Sequence, residues 1–272
     1  MPTQAVIAKN VASLYREPSS DTERVTQALM GQPAEVVESR DNWRYIRTWD
    51  DYHGWIEDRW LRELEPGEAA YASTGKVGIV RALIADLLDS PDASSAILTK
   101  AVVSTELEVL RVQGQFTALR LPARSHGLAF VRSGDVKISD RSLASLPLPP
   151  TGEELVAEAR RFIGVPYLWG GTSPFGLDCS GFVQLVYRVH GVTLPRDAGP
   201  QSEDRRGRPA GRQDLRPGDL VFFAKNDRIA HVGMSLGGDG FIHSAGEIGV
   251  TVSSLNEEYY KRIYWGGKRI EA

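Results

Sequence analysis

One cysteine, Cys179, stands among 272 residues, in the run Leu177-Asp178-Cys179-Ser180-Gly181. A lone thiol is commonly a small buried hydrophobe. This one opens an apolar pattern: Phe182, Val186 and Val189 follow it at steps of three, four and three, with Val183 on the same side. That spacing is one face of a helix, and Gly191 suits its C-terminal cap. Cys179 is therefore expected in the first helical turn. There, unpaired backbone N–H groups and the positive end of the helix dipole favour a thiolate, the nucleophilic form. The same N–H groups suit an oxyanion formed by attack on a carbonyl.

A thiol nucleophile needs a base, and the chain has five histidines. His53 and His126 occupy matching places in an internal repeat, which points to loop roles. His190 ends the cysteine's own helix, about 16 Å away along the axis at 1.5 Å per residue. His231 and His243 remain. His231 begins the alternating stretch AHVGMSL, GGDG (237–240) is a turn, and GFIHSAG (240–246) is the expected return strand. In such a hairpin the two rings share one face. His231 would take the thiol proton and His243 would orient its ring.

These groups need a frame. The turn Arg216-Pro217-Gly218 introduces an apolar strand, Asp219 to Phe223, to lie beside the hairpin. Thr151 and Glu154 have capping-box spacing ahead of Leu155, Val156, Ala159 and Phe162, which predicts a helix. SLASLPLPP (142–150) is a proline-rich linker before it. The first half repeats itself at an offset of 73 residues: VASLYREPSS lies over IADLLDSPDA, Trp43 over Phe116 and His53-Gly54 over His126-Gly127. Short alternating segments in both copies predict strands and small β-barrels. The first copy, with "VVES..NW..I" and then "DYHGWI", resembles bacterial SH3 domains. In the second, Leu128 falls where Trp55 stands.

"LDCSGFV", "RPGDLVFF" and "HVGM", with a second histidine twelve residues after the first, together resemble the NlpC/P60 family of cell-wall cysteine peptidases. The resemblance covers about residues 151–272. It implies an α+β fold, in which a papain-like catalytic domain (146–272) follows two small SH3-like β-barrels (1–68 and 69–145). It also implies Cys179 as nucleophile, His231 as base and His243 as third member. The implied substrate is a peptidoglycan-derived peptide, cut between γ-D-glutamate and a diamino acid. The most similar subgroup trims free peptides beginning L-Ala-γ-D-Glu during wall recycling. In that subgroup the residues matching Asp178 and Ser180 hold the substrate's amino end, and those matching Tyr167 and Trp169 form the pocket wall. A carboxylate beside the nucleophile is in any case a suitable partner for an ammonium. A barrel could wall off one end of the groove, with Tyr52 or Tyr71 reaching across. Gln32 stands where an acid for the same ammonium would be expected.

Other classes fare less well. A net charge of −3 gives no basic field for nucleic acid, and no apolar run reaches the length of a membrane span. The first residues lack a secretion signal's pattern and the single cysteine fits a reducing compartment, so the expectation is a cytoplasmic monomer without cofactor or metal. A zinc site would consume the nucleophile. Gly233-Met234-Ser235-Leu236-Gly237 matches a serine-hydrolase motif but lacks its strand–turn–helix setting. Two rival readings stay open: an endopeptidase of intact wall anchored by the barrels, and a wall-binding protein without catalysis.

Overall fold

The computed structural model describes residues 3–73, 75–122, 127–141 and 149–271. The chain divides into two compact units, Met1–Ser145 and Leu146–Ala272. Most of the linker, and His126 with it, lies outside the described residues.

The first unit holds two seven-stranded sheets. The first contains β1 (Thr3–Ile7), β2 (Val11–Tyr15), β3 (Arg24–Leu29), β4 (Pro33–Arg40), β5 (Trp43–Thr48), β6 (His53–Glu57) and β7 (Leu61–Glu63). The second contains β8 (Lys76–Val80), β9 (Ile84–Leu88), β10 (Ile97–Val102), β11 (Glu106–Gln113), β12 (Phe116–Arg120), β13 (Ala129–Arg132) and β14 (Val136–Asp140). Their orders, β3-β2-β6-β5-β4-β1-β7 and β10-β9-β13-β12-β11-β8-β14, are the same path taken twice. The internal repeat is thus a repeat of topology.

Two details depart from the sequence reading. Neither sheet closes: inward residues such as Ile7, Leu14, Ala28, Val36, Ile46 and Ile56 form one core for the first sheet, yet its end strands β3 and β7 do not pair. Each sheet curls around its core without the last ladder that a barrel requires. The gapless offset also fails after β12. Tyr15 pairs with Trp55, while its counterpart Leu88 pairs with Phe130. The connection into β13 is two residues longer, so Phe130, and not Leu128, takes the place of Trp55.

The second unit begins with α1 (Gly152–Arg160), capped by the expected reciprocal pair Thr151 and Glu154. Two short strands follow, β15 (Thr172–Ser173) and β16 (Gly176–Leu177), then α2 (Cys179–Val189) and α3 (Ala198–Glu203). The sheet comprises β17 (Gly207–Ala210), β18 (Leu220–Lys225), β19 (Arg228–Gly237), β20 (Gly240–Ala245), β21 (Gly249–Ser254) and β22 (Tyr264–Ile270), with α4 (Glu258–Ile263) before the last strand. Its order is β17-β22-β18-β19-β20-β21, antiparallel throughout. Leu220 to Phe223 are all fully buried because β18 is an inner strand covered on both faces. Phe223 and Phe241 pack on one side with Leu255, Tyr260 and Tyr264. Phe162 meets Phe182 edge-on at 6.2 Å where the ends of α1 and α2 come together. No described helix is long and apolar enough to cross a membrane. Ser235 lies inside β19, buried, its hydroxyl accepting from the Gly237 N–H at 3.0 Å, which is a strand position and no nucleophile elbow.

Candidate active site

The nucleophile helix starts where its sequence starts it. Asp178 is the N-cap of α2, its Oδ1 accepting from the Gly181 N–H at 2.7 Å, and Gly191 ends the helix at φ +81°. The carboxylate has further partners. Its Oδ2 accepts from the Gly170 N–H at 2.9 Å, and its Oδ1 from the Ser180 hydroxyl at 3.3 Å. Arg196 spans both oxygens with its guanidinium and also donates to the Ser180 Oγ at 3.0 Å. The Arg196 side chain is 1% exposed. The carboxylate is thus held by an internal cation, the Ser180 hydroxyl and two backbone donors. Both side chains hold the nucleophile turn to its neighbours.

The ionisation of Cys179 also differs from expectation. Part of the residue is open to solvent, and the N–H groups of Val232 and Ser180 point at its sulfur. Burial of the sulfur, helped by the negative charge of Asp178, nevertheless pushes the thiol up to about 11. His231 is driven the other way, down to about 4, because burial disfavours its cation. Removal from water outweighs the helix terminus, and the resting pair is thiol and neutral imidazole. Alkylation of Cys179 by iodoacetamide is therefore expected to accelerate about tenfold per pH unit between pH 7 and 9, since the thiolate fraction rises throughout that range. A plateau from pH 6 upward would indicate a preformed ion pair instead.

The hairpin brings the histidines together as the alternation predicts. Met234 faces Ile242 across β19 and β20, which sets Gly233 opposite His243 and His231 diagonal to it. A Cβ at position 233 would lie 3.1 Å from the His243 Cβ and 2.8 Å from the Phe241 ring. Glycine there keeps the shared face clear for two imidazoles. His231 Nε2 lies 2.8 Å from His243 Nδ1, with the rings nearly perpendicular. Val232, whose N–H meets the cysteine sulfur, is the next residue after His231. Nδ1 is the ring nitrogen of His231 outside that contact.

Of the other candidates, Tyr167 joins the site. It bridges to Leu177 just before the nucleophile turn, and its hydroxyl feels the charge of Cys179. Burial, followed by the nearby negative groups, raises it to about 12, so it is a neutral phenol and a donor. Trp169, 60% exposed, lies on the same loop with its ring toward solvent. The two barrel tyrosines belong to the N-terminal unit. Tyr71 packs in the core there, its hydroxyl donating to the Arg120 carbonyl. Tyr52 is half-buried in the β5–β6 turn, where its carbonyl accepts from the Thr48 N–H at 2.8 Å. Gln32 is buried as well, its Oε1 accepting from the Leu29 N–H at 2.8 Å. Three contributors escape the sequence reading: Arg196, Ser253 and Tyr260. None has a spacing that marks it, because each is joined to the site through the tertiary fold.

With this geometry in place, the molecule can be set beside known proteins. The NlpC/P60 family matches residues 164–269, and the bacterial dipeptidyl-peptidase SH3 domain matches residues 14–61. A γ-D-glutamyl-L-lysine dipeptidyl-peptidase of Bacillus cereus is 33% identical over 90% of this chain and 74% of its own length. A murein DD-endopeptidase/LD-carboxypeptidase of Escherichia coli, MepS, is 42% identical, over 39% of this chain and 56% of its own. A crystal structure of an NlpC/P60 family protein from Bacillus cereus superposes with a TM-score of 0.87 at 27% identity, covering 98% of this chain and 99% of that one.

Proposed function

The chain belongs to the NlpC/P60 family of peptidases, and on that basis we propose that it is a cysteine peptidase cutting the γ-D-glutamyl–diamino acid bond of free peptides that begin with L-Ala. Its second N-terminal sheet is taken as another SH3-type module, supported by its repetition of the first sheet's strand order. The observation that supports the catalytic reading is that the Cys179 sulfur meets the Val232 N–H, one residue after His231, whose Nε2 lies 2.8 Å from His243 Nδ1. What supports the choice of substrate is the extent of likeness to a dipeptidyl-peptidase, which spans both units and not the catalytic unit alone.

In this mechanism the thiol proton passes to His231 Nδ1 as the sulfur bonds to the γ-carbonyl carbon. Charge moves to the carbonyl oxygen, beside the N–H groups at the start of α2 and the neutral Tyr167 hydroxyl. The imidazolium then protonates the leaving amine, and a thioester remains. Water, deprotonated by the same imidazole, releases the dipeptide and restores the thiol. Since both partners rest neutral, the proton moves during attack and not before it.

The test compares L-Ala-γ-D-Glu-diamino acid tripeptides with free and acetylated amino ends, beside intact peptidoglycan. Release of the dipeptide from the free tripeptide, with kcat/KM at least about 100-fold lower after acetylation, is the expected result for a site that selects a free amino end. Equal rates on the two tripeptides would remove the free-amine element. The likeness of the catalytic unit to a murein endopeptidase favours a second reading, action on intact wall. Solubilisation of wall with no tripeptide cleavage would select it.

A further inference from the structure

His243 is fully buried, and its ring is enclosed by Phe241 at 4.7 Å, His231 at 4.9 Å and Tyr260 at 5.4 Å between centroids. Only two polar side chains meet its outer nitrogen among the described residues: the Ser253 Oγ at 3.2 Å from Nε2 and the Tyr260 hydroxyl at 3.4 Å. Neither takes part in the catalytic scheme above, and each has a structural address that fits the contact. Ser253 lies near the end of β21, beside β20, and Tyr260 lies on α4, which packs onto the inner strand β18.

The hydrogen bond between the two histidines admits two tautomeric arrangements, and only one can work. If His231 is to accept the thiol proton at Nδ1, its own proton sits on Nε2 and is donated to His243 Nδ1. His243 must then carry its proton on Nε2, where an acceptor is needed. In the opposite arrangement His243 donates from Nδ1, His231 is protonated on Nδ1, and the thiol faces a ring nitrogen without a lone pair. The environment of His243 Nε2 thus decides whether a base exists 2.8 Å further along the chain.

We propose that Ser253 and Tyr260 are positioning residues that accept the His243 Nε2–H, hold that ring in the Nε2–H tautomer and so keep His231 Nδ1 free for the thiol proton. The geometry supports this: both oxygens lie within reach of Nε2, and a hydroxyl oxygen has lone pairs to accept an imidazole N–H. Tyr260 is partly exposed, so the sequence His231, His243, Ser253, Tyr260 runs from the buried base to the solvent boundary. Burial holds His243 down at about 3, so it remains an uncharged dipole relay and never competes for the proton.

The inference rests on His231 being the base of the proposed peptidase, but its main readout is independent of turnover. Long-range ¹H–¹⁵N spectra of the imidazoles in the full-length wild-type chain report the tautomer of each ring directly. The expected pattern is Nε2–H for both His231 and His243 at pH 7. A wild-type His243 protonated on Nδ1 would overturn the proposal, whatever the enzyme cuts. The Ser253→Ala/Tyr260→Phe double variant is expected to populate the Nδ1–H form of His243 and to lower kcat by roughly 10- to 100-fold with KM within about twofold, as loss of an orienting partner does elsewhere. Ser253→Thr on the Tyr260→Phe background, which restores the acceptor, should recover most of that loss. Unchanged tautomers and unchanged kcat in the double variant would also refute it. Absence of activity in all forms, with the Nε2–H pattern intact, would instead count against the peptidase reading alone.

Discussion

Hydrolysis by a Cys179→Ala variant is expected to fall by roughly 10⁴- to 10⁶-fold in kcat, and His231→Ala by a comparable factor. The double variant should be little worse than either. Sulfur and imidazole act as one unit: without the base the thiol stays protonated, and without the thiol the base has nothing to activate. Because the thiol rests near 11 and the imidazole near 4, neither group alone supplies a nucleophile at neutral pH. Steady-state kinetics on the free tripeptide, with circular dichroism to confirm folding, measures this. Hydrolysis within tenfold of wild type in Cys179→Ala would rule out the sulfur as nucleophile, and no hydrolysis by the wild type would support the non-catalytic wall-binding reading.

The second large effect concerns Arg196. Its replacement by methionine is expected to destabilise the catalytic unit by about 3–5 kcal/mol, because it strands a buried carboxylate without its counter-charge. In thermal unfolding of the full chain this should appear as a fall on the order of 10 °C in the catalytic unit's transition. Asp178 also sits close enough to raise the thiol, and Arg196 opposes that effect. Alkylation of Cys179 in Arg196→Met should therefore slow at fixed pH. The Asp178→Asn/Arg196→Met double variant should recover most of the stability, since asparagine still caps the helix and no lone charge remains. A single variant that melts within about 2 °C of wild type would show that the pair does not hold the turn.

Much of the catalytic unit was legible in its primary structure. The capping box at Thr151 and Glu154, the start of α2 at Cys179, the glycine after its last turn and the β19–β20 hairpin all formed as their local patterns indicate. These are signals within ten or so residues, where helical and strand periods and cap geometry dominate. The internal repeat was legible for the same reason: its copies follow one strand order. Its later half was misaligned because a two-residue insertion leaves no mark in alternating segments, and only the pairing of Leu88 with Phe130 reveals it.

The site's partners were less visible. Asp178 reads as a helix cap beside its immediate neighbours, while its ion pair with Arg196, eighteen residues on, leaves no local mark. Tyr71 has no local pattern that marks its place in the second sheet's core. Residue types, their order and the local elements that carry them determined which atoms could do chemistry here: one thiol, two histidines on a hairpin, a capped helix. Tertiary structure alone decided their state. Desolvation and counter-charges depend on groups distant in the chain, and these raise the thiol and lower the imidazole.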